Sequence, residues 1–590
     1  MRGIIMAAAL AVLAAGGAQA QTSTSDHATV RTPSGIELYR VFPGFRAETR
    51  DEQGTVTGYV GENPWGQYTA YLMATNAKGQ RTFRIEHNLP RGDGRSYQGS
   101  SMYLLEGRDR ALLIDTANPA QATEGVNDLK TVVRYLLGHE SDGAVRARPL
   151  EFVVANTHSH GDHIGENKRM NDRTVYYMDG DWPANAPANY VPIREGGGAT
   201  THGSGQAVGE IDLGDRKVSA VAMPPHTPGS TGYLDAENQM LFSGDAIGTG
   251  YVWIQWAPVS RYAEMTKRLQ AQMARYPQLA VFGAHFYQYD TGLRRGPPLN
   301  GAPADNRYIR EEAELAQRIL DGTVEGEPYS AGRETVWATN GSAQIVYSLA
   351  NIYAAGEAPS TPWHSVRVPS TLPAAWQTAP ALKAVLPIKA ELHQIRGPKG
   401  EVLQLIKGSR ASLVIGAAST APGLEAFVRR LVGAGPLEWA PMADGSLKEG
   451  AVIDLGVDSA GRPLRLEART LGAAVTLIDS TNRVLFAGSA LGVQGADSGW
   501  SPPGGAAAYK AALTTWRAKT DGRYDVIYTA GNHQWFTSPA YVDELGKALD
   551  KVIAGGAAAT ASKVKPGLMM VKSEGGAEVV ASVDAGTSVP

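Results

Sequence analysis

An internal repeat restricts the fold of this 590-residue chain more than any other feature. The segment from Asp235 to Gly248, DAENQMLFSGDAIG, returns without a gap from Asp479 to Gly492 as DSTNRVLFAGSALG. Flanking segments recur in the same order: residues 102–114 resemble 402–415, 209–214 resemble 450–456, and 281–287 resemble 527–535. A repeat of this kind indicates copies of one structural unit. We therefore predict two domains that are copies of one fold.

Strand and helix patterns alternate from about residue 99 onward. Met102–Leu105, Ala111–Ile114 and Leu150–Val154 have the pattern of buried strands, and Val126–Leu137 that of an amphipathic helix. This alternation predicts an α/β layer structure. The predicted organisation is a signal peptide over 1–20, an N-terminal extension over 21–98 with short strands at 68–73 and 82–86, a catalytic domain over 99–354, a linker over 355–386, a second domain over 387–555 and a flexible tail over 556–590.

Composition and the N-terminus bear on where the protein works. The formal net charge of -3 and the pI near 6.5 are too mild to attract nucleic acid or an anionic membrane surface. Arg2, an apolar run and the small-x-small pattern ending at Ala20 predict a signal peptide cleaved after Ala20, the alternative being a buried N-terminal helix. The chain has no cysteine, so it can form neither a disulfide nor a lipid-anchored cysteine. We therefore expect a periplasmic or secreted protein without a membrane anchor.

The segment Thr157 to His163, THSHGDH, contains the densest group of candidate metal ligands. In an extended chain residues two apart point to the same side, so His158 and His160 can share one ion. Gly161 permits a tight turn that directs Asp162 and His163 to a second ion. Imidazole nitrogen and carboxylate oxygen are suitable zinc ligands.

Further ligand types follow at the ends of downstream strands, in small-residue turns: His226 in PHTPGSTG, Asp245 in FSGD and His285 in FGAH. Together with Asp115 in LLID and the THSHGDH segment, this ordered set resembles the metallo-β-lactamase superfamily over about residues 99–290. The resemblance implies an αββα sandwich, with the second half of the chain a truncated, degenerate copy of the same fold.

The family pattern also assigns the ligands. It implies one metal ion bound by His158, His160 and His226, and a second bound by Asp162, His163 and His285. It implies further that Asp245 bridges the ions and that Asp115 orients the site. The predicted cofactor is a pair of zinc ions, although such ligands also accept manganese, iron or cobalt.

Two such ions lower the pKa of a bound water and polarise the bond to be cleaved, so hydroxide held at the metals is the expected nucleophile. Asp162 is the expected catalytic residue, since its carboxylate would help to orient that nucleophile. Tyr251, Trp253 and Trp256 follow Asp245 and either line a substrate pocket or pack against a helix. His202, in a glycine-rich loop, is a weaker candidate for closing over the site.

The second copy has lost most of these residues. Ser489 replaces Asp245, Gly416 replaces Asp115, and Thr470 falls opposite His226 when the ungapped match is extended. Only His533 remains, and one histidine cannot hold a metal pair. We therefore expect this half to be inert and to scaffold the first domain, shape its cleft or mediate a homodimer.

The leading hypothesis is a secreted dinuclear-zinc hydrolase that cleaves an ester, lactone or amide bond of a small molecule. Aspartate at position 245 argues against a β-lactamase, whose branches usually have Cys or Ser there. Gly248 argues against a close acyl-homoserine lactonase, which usually has Tyr there, and predicted export argues against a glyoxalase II-like thioesterase. An iron-dependent, persulfide dioxygenase-like oxidoreductase and a protein whose metals only stabilise the fold are the remaining alternatives.

Overall fold

In a computed structural model the chain forms two compact units. Unit 1 comprises residues 1–317, 339–346 and 353–355, and unit 2 comprises residues 318–338, 347–352 and 356–590. The structure describes residues 29–31, 37–40, 47–50, 56–60, 68–90, 96–119, 128–140, 144–181, 186–193, 207–248, 251–254, 257–285, 304–329, 335–359, 361–368, 390–397, 401–416, 421–442, 446–492, 500–529, 536–555, 560–561, 569–572 and 578–581.

Unit 1 is built around two large sheets. The strand order of the first is Thr29–Arg31, Glu37–Arg40, Tyr68–Thr75, Arg81–Pro90, Ser96–Glu106, Arg110–Ile114, Glu151–Ala155, Val175–Tyr177 and Tyr190–Pro192. Its strands pair antiparallel as far as Arg110–Ile114 and parallel beyond it. The order of the second sheet is Ala207–Asp212, Lys217–Ala222, Thr231–Asp235, Met240–Gly244 and Ala280–Gly283, and its last pair is parallel.

The two sheets of unit 1 face each other across a shared apolar core. Leu112 and Ile114 of the first sheet belong to the same buried cluster as Val218, Phe242 and Phe282 of the second. On its other face the first sheet packs against the helix Leu129–Leu137, which buries one apolar side and begins at Asp128, whose side chain accepts a hydrogen bond from Thr131 N at 2.7 Å. The predicted α/β layer structure is therefore confirmed.

The remaining elements of the first half are short or helical. The helices are Gly161–Ile164, Val259–Met273 and Asn306–Leu320, with a 3-10 helix at Asn167–Met170. Ala47–Arg50 pairs with Val56–Val60, and a four-stranded sheet has the order Val252–Trp253, Ala343–Ser348, Thr335–Asn340 and Glu327–Pro328. A 3-10 helix follows at Leu349–Asn351.

Unit 2 has sheets of the same kind. One has the order His364–Val368, Glu391–Arg396, Val402–Lys407, Ser412–Ile415 and Leu437–Ala440, and another the order Val452–Val457, Pro463–Leu471, Ala474–Asp479, Val484–Gly488 and Val526–Thr529. The helices are Leu424–Val432, Ala506–Thr520 and Ala540–Ile553, and a three-stranded sheet is formed by Thr560–Ala561, Met569–Lys572 and Glu578–Ala581.

Several backbone hydrogen bonds within unit 1 have a counterpart at the matching position within unit 2. Thr231 N donates to Thr157 O at 2.8 Å, and Val475 N donates to Met442 O at 3.0 Å. Asp115 N donates to Ala155 O at 2.9 Å, as Gly416 N does to Ala440 O at 3.0 Å. The parallel pairs that end at Gly244 and Gly488 have the same register irregularity. These correspondences place Met442 where unit 1 has Thr157, the residue before His158.

Three predicted boundaries differ from the structure. The extension over 21–98 is not separate, because Tyr68–Thr75 and Arg81–Pro90 pair within the first sheet and bury alternate side chains in its core. The linker over 355–386 contains the strand His364–Val368, which pairs with Glu391–Arg396. The tail over 556–590 contains a small sheet, where Val579 is buried against the helices of unit 2. In each case the segment pairs within a sheet and has buried side chains.

Two other predictions concern the ends of the chain and its membrane status. The signal peptide over 1–20 lies outside the described residues. Among the described residues, no helix has the length and apolarity required to cross a membrane.

His87 should make unit 1 less stable in acid. Its ring is fully buried and stacks on Tyr68 with the centroids 5.0 Å apart, and burial lowers the pKa of His87 to about 4. The unfolded chain binds the proton near pH 6.5, whereas the folded chain binds it only near pH 4. The stability that comes from keeping the buried ring neutral is therefore complete above pH 6.5 and is lost as the pH falls towards 4. At about 1.36 kcal/mol per pKa unit the loss is about 3 kcal/mol.

The check is the pH dependence of the free energy of unfolding of unit 1, measured by amide hydrogen exchange. His87→Phe keeps an aromatic ring beside Tyr68 but cannot be protonated, so we expect a flatter dependence between pH 6.5 and 4. Equal slopes in the two proteins would contradict the assignment.

Candidate metal centre

The predicted ligands lie at the ends of strands from both sheets of unit 1. His158 follows Glu151–Ala155, and Asp245 and His285 follow the parallel pair Met240–Gly244 and Ala280–Gly283. His226 lies in the connection after Lys217–Ala222. Gly244 permits the close approach of these segments, because it has a φ of 57° and a Cβ there would lie 2.6 Å from Thr157 Cβ.

The first group of candidate ligands consists of His158, His160, His226 and Asp245. His160 Nδ1 lies 3.0 Å from His158 Nε2 and 3.2 Å from His226 Nε2. Asp245 Oδ2 lies 3.9 Å from His158 Nε2 and 3.6 Å from His226 Nε2. Three imidazole nitrogens therefore converge next to one carboxylate oxygen.

The second group consists of Asp162, His163, Asp245 and His285. His163 Nε2 lies 3.5 Å from Asp162 Oδ2 and 3.5 Å from Asp245 Oδ2. His285 Nε2 lies 3.3 Å and 3.2 Å from the same two oxygens. The Oδ2 atom of Asp245 thus belongs to both groups, as the bridging position requires.

The spacing and chemistry of these atoms fit divalent metal ions. Ligand atoms at about 2.0–2.1 Å from a tetrahedral zinc ion would be roughly 3.3–3.4 Å apart, and the distances above, from 3.0 to 3.9 Å, bracket that spacing. Several buried polar atoms in the described residues have no hydrogen-bond partner, and two of them, His163 Nε2 and Asp245 Oδ1, lie at this site. Such atoms are costly unless something compensates them, and a cation would do so. Ligation itself stays a prediction.

The first group is electrostatically ready to bind a cation. Burial lowers the pKa of His158 well below its usual value and also lowers the pKa of His226. Both rings are therefore neutral at physiological pH, and neutral imidazole is the form that binds metal.

Carboxylates dominate the second group. Burial acts to lower the pKa of His285, but Asp245 and Asp162 raise it to about 9. Burial acts in the opposite direction on Asp245, yet His285 and His163 hold its pKa well below the usual range. The carboxylates are therefore ionised, and a metal ion would replace the proton on His285 and release it.

Asp115 is placed to orient ligands of both groups, and that role stays a prediction. Its Oδ2 accepts hydrogen bonds from His163 Nδ1 at 2.9 Å and Thr157 Oγ1 at 2.7 Å, and its Oδ1 accepts from Thr157 N at 2.7 Å. Thr157 Oγ1 also lies 3.0 Å from His158 Nδ1. The carboxylate thus fixes the ring of His163 directly and that of His158 through Thr157.

Asp115→Asn should weaken metal binding by about 10–100-fold without removing a ligand. All three donors around the carboxylate require an acceptor, and the amide presents a donor at one of the two oxygens. The measurement is metal affinity by competition with a chelator, with Asp172→Asn, a half-exposed surface carboxylate paired with Lys130, as the control. Unchanged affinity in Asp115→Asn would contradict this role.

The predicted aromatic residues are only partly described. The carbonyl of Trp253 accepts a hydrogen bond from His226 Nδ1 at 2.8 Å, so the backbone of Trp253 orients this ligand. The rings of Tyr251 and Trp253 are half-buried, and their centroids are 6.3 Å apart. Trp256 and His202 lie outside the described residues, and the pocket stays a prediction.

Sequence reasoning missed several residues that hold the ligand segment. Asn156 and Thr116 both bond the side chain of Asn167, and Thr116 N donates to the carbonyl of His163 at 2.7 Å. Asp181 accepts hydrogen bonds from both ligand-bearing loops. A polar residue directly before THSHGDH was the available signal for Asn156, whereas nothing near Asp181 in the sequence indicates its partners.

Unit 2 has no equivalent of the His226 connection, which corrects the predicted pairing of His226 with Thr470. Residues 223–230 separate the last pair of their strands in unit 1, Ala222 and Thr231. In unit 2 the last pair is Leu471 and Ala474, which leaves only a two-residue turn. The ungapped match fails here because the loop is absent. His533 lies outside the described residues, and both candidate ligand groups found among the described residues are in unit 1.

Comparison with known proteins gives a consistent family. Residues 97–177 match the model of the metallo-beta-lactamase superfamily. The chain is 28% identical over 214 residues to the acyl-coenzyme A thioesterase MBLAC2 of Gallus gallus, covering 32% of this chain and 73% of that protein. It is 26% identical over 167 residues to the uncharacterized protein YobT of Bacillus subtilis (strain 168), covering 24% of this chain and 60% of that protein.

Among solved structures the chain is similar to a metallo beta lactamase from Erythrobacter litoralis, with 15% identity, a TM-score of 0.28, and coverage of 43% of this chain and 97% of that one. The chain contains a domain of the metallo-β-lactamase superfamily.

Proposed function

We propose that this protein is an exported dinuclear metallo-hydrolase that cleaves an ester, thioester, lactone or amide bond of a small molecule. The observation that carries the proposal is the position of Asp245, whose Oδ2 atom belongs to two complete groups of candidate ligands. Two ions held side by side are the arrangement that hydrolytic metal centres use.

The bound ions would supply a water nucleophile at neutral pH and polarise the bond to be cleaved. The side chain of Asp162 is 34% exposed, and burial, which raises its pKa, is outweighed by the neighbouring His163 and His285, which lower it. Asp162 is therefore an ionised carboxylate at the accessible side of the site. It can accept a hydrogen bond from an attacking water and hold its orientation.

The completeness of the second group favours hydrolysis over the oxidative alternative. A mononuclear iron dioxygenase needs a single ligand set, whereas Asp162, His163 and His285 form a second set around Asp245. Nitrogen and oxygen ligands at tetrahedral spacing suit zinc, so two zinc ions are the proposed cofactor. Export rests on the sequence pattern that ends at Ala20.

A thioester is the substrate class that the relatives favour within this proposal. MBLAC2 is named an acyl-coenzyme A thioesterase, and the matched region covers 73% of its length. Thioesters, lactones and aryl esters have an electrophilic carbonyl in common, so a water nucleophile held at one metal centre could attack any of them. Which class turns over is an outcome of the test below.

We propose further that unit 2 is a degenerate copy of the fold that binds no metal and serves as a scaffold or a dimer contact. Backbone hydrogen bonds at matching positions of the two units support the copy: Thr157 O and Met442 O each accept one from the neighbouring sheet, and Asp115 N and Gly416 N each donate one to an alanine carbonyl. Methionine and glycine at these positions cannot orient an imidazole. The test is the mass of the protein in solution, together with the metal content of a chain whose unit 1 ligands are removed.

The first experiment is elemental mass spectrometry on the purified full chain, run beside a panel of nitrocefin, lactones, thioesters and aryl esters with and without a chelator. About two zinc ions per chain and chelator-sensitive turnover of one class are expected. A single iron ion without hydrolysis would overturn the proposal in favour of the oxidative reading.

A further inference from the structure

The two loops that carry the first ligand group are joined by one carboxylate, that of Asp181. Its Oδ2 atom accepts hydrogen bonds from Ser159 N at 3.0 Å and from Thr227 Oγ1 at 2.6 Å. Its Oδ1 atom accepts one from Gly229 N at 2.6 Å. Ser159 lies between His158 and His160, whereas Thr227 directly follows His226. Two of the three donors therefore belong to residues next to histidines of the first group, and the third, Gly229, lies three positions after His226.

We propose that Asp181 is a positioning residue that sets the affinity of the three-histidine group for its metal ion. It fixes the distance between the His158–His160 segment and the His226 turn, since one carboxylate bonds both. The inference rests on the proposed metal centre. None of the hydrogen bonds of the Asp181 carboxylate given above goes to a candidate ligand atom.

The role of Asp181 complements that of Asp115. Asp115 bonds the ring of His163 in the second group directly, whereas Asp181 bonds no ring and acts on the backbone of the first group. The three histidines of the first group, His158, His160 and His226, come from two separate loops, so their geometry depends on how those loops are joined. Outer residues of this kind typically contribute 10–100-fold in metal affinity.

Gly229 provides independent support. A Cβ at this position would lie 2.7 Å from Asp181 Cγ and 2.9 Å from Asp181 Oδ1. Any larger residue would therefore displace the carboxylate from its donors. The contact with Asp181 thus requires a residue without a side chain at position 229, and Gly229→Ala offers a second way to disrupt it.

The test is a Co²⁺ titration of the metal-free full chain, with competition by a chelator to obtain the affinity of each site. We expect Asp181→Ala to weaken one of the two sites by about 10–100-fold and to leave the other nearly unchanged. Gly229→Ala should have a similar effect alone and little further effect in the Asp181→Ala background, because neighbours in one contact are not additive.

Three controls separate this inference from the proposed function and from a loss of folding. Asp172→Asn, on the surface of unit 1, should bind both ions as the wild type does. In a His160→Ala background, which lacks the first site, Asp181→Ala should not change the remaining site. Melting temperatures of the metal-free variants report any effect on folding alone.

The outcomes distinguish a failure of the proposed metal centre from a failure of the proposed role of Asp181. A wild type that binds no Co²⁺ or Zn²⁺ would overturn the metal centre and the proposed function. Two sites in the wild type with equal weakening of both in Asp181→Ala, or with no change in either, would overturn only the role of Asp181. Additive effects of Asp181→Ala and Gly229→Ala would also overturn it.

Discussion

Asp245→Ala is expected to abolish tight binding of both metal ions and to reduce hydrolysis by about a thousandfold or more. Its Oδ2 atom is the one ligand atom that belongs to both groups, at 3.2–3.9 Å from four imidazole nitrogens. Metal ions contribute several kcal/mol to transition-state stabilisation, and about 4 kcal/mol corresponds to about a thousandfold in rate. The measurements are metal content by elemental mass spectrometry and turnover of the substrate found in the panel.

His160→Ala separates the two sites. His160 belongs only to the first group, so this variant should lose hydrolysis but keep close to one ion per chain. His533→Ala, in the second half of the chain, should leave metal content and activity unchanged. Full activity in His160→Ala would refute the site assignment, and two ions in Asp245→Ala would refute the bridge.

The second large effect concerns stability. Arg216 and Asp235 are fully buried in unit 1, where Arg216 Nε donates to Asp235 Oδ2 at 2.9 Å. Arg216 also donates to Glu106 O and Thr82 Oγ1, both at 2.8 Å. Asp235→Ala leaves this guanidinium buried without its counter-charge, so we expect unit 1 to lose about 3–5 kcal/mol of unfolding free energy.

The repeat supplies a matched control for this prediction. Asp235 also accepts hydrogen bonds from Asn238 N at 3.2 Å and Asn238 Nδ2 at 2.7 Å. Asp479 occupies the corresponding position in unit 2 and accepts the matching pair from Asn482 N at 2.9 Å and Asn482 Nδ2 at 2.7 Å. Burial raises the pKa of Asp479, and no described arginine forms a salt bridge with it within 4.0 Å. Asp479→Ala should therefore cost unit 2 only about 1–2 kcal/mol.

Amide hydrogen exchange can report on each unit separately, which suits a chain of two units. The double variant Arg216→Met/Asp235→Leu removes both charges and should recover most of the stability that Asp235→Ala loses. A loss in Asp235→Ala no greater than in Asp479→Ala would contradict the ion-pair argument.

The sequence by itself predicted the candidate metal site more completely than the fold. His158, His160, Asp162 and His163 lie within six positions of the chain, so strand geometry and one glycine turn are enough to predict that they share ions. His226, Asp245 and His285 each follow an apolar strand, and the family pattern supplied their order. The structure brings all of them into two groups around Asp245.

The repeat was also evident from sequence, because its best-matched segment, at Asp235 and Asp479, has no gap. Loop lengths were not. Extending the match past that segment paired His226 with Thr470, although unit 2 has only a short turn between Leu471 and Ala474. Ungapped comparison cannot detect a missing loop, whereas strand pairing shows it directly.

Tertiary structure alone decided which distant residues support the site and the core. Asp181 lies among turn residues with no periodic pattern, and its partners Ser159 and Gly229 are 22 and 48 positions away. Nothing in the sequence pairs Arg216 with Asp235, yet the two are buried against each other. Local patterns predict strands and the motifs at their ends, but hydrogen bonds between loops depend on how the sheets are packed, and that packing is a property of the whole unit.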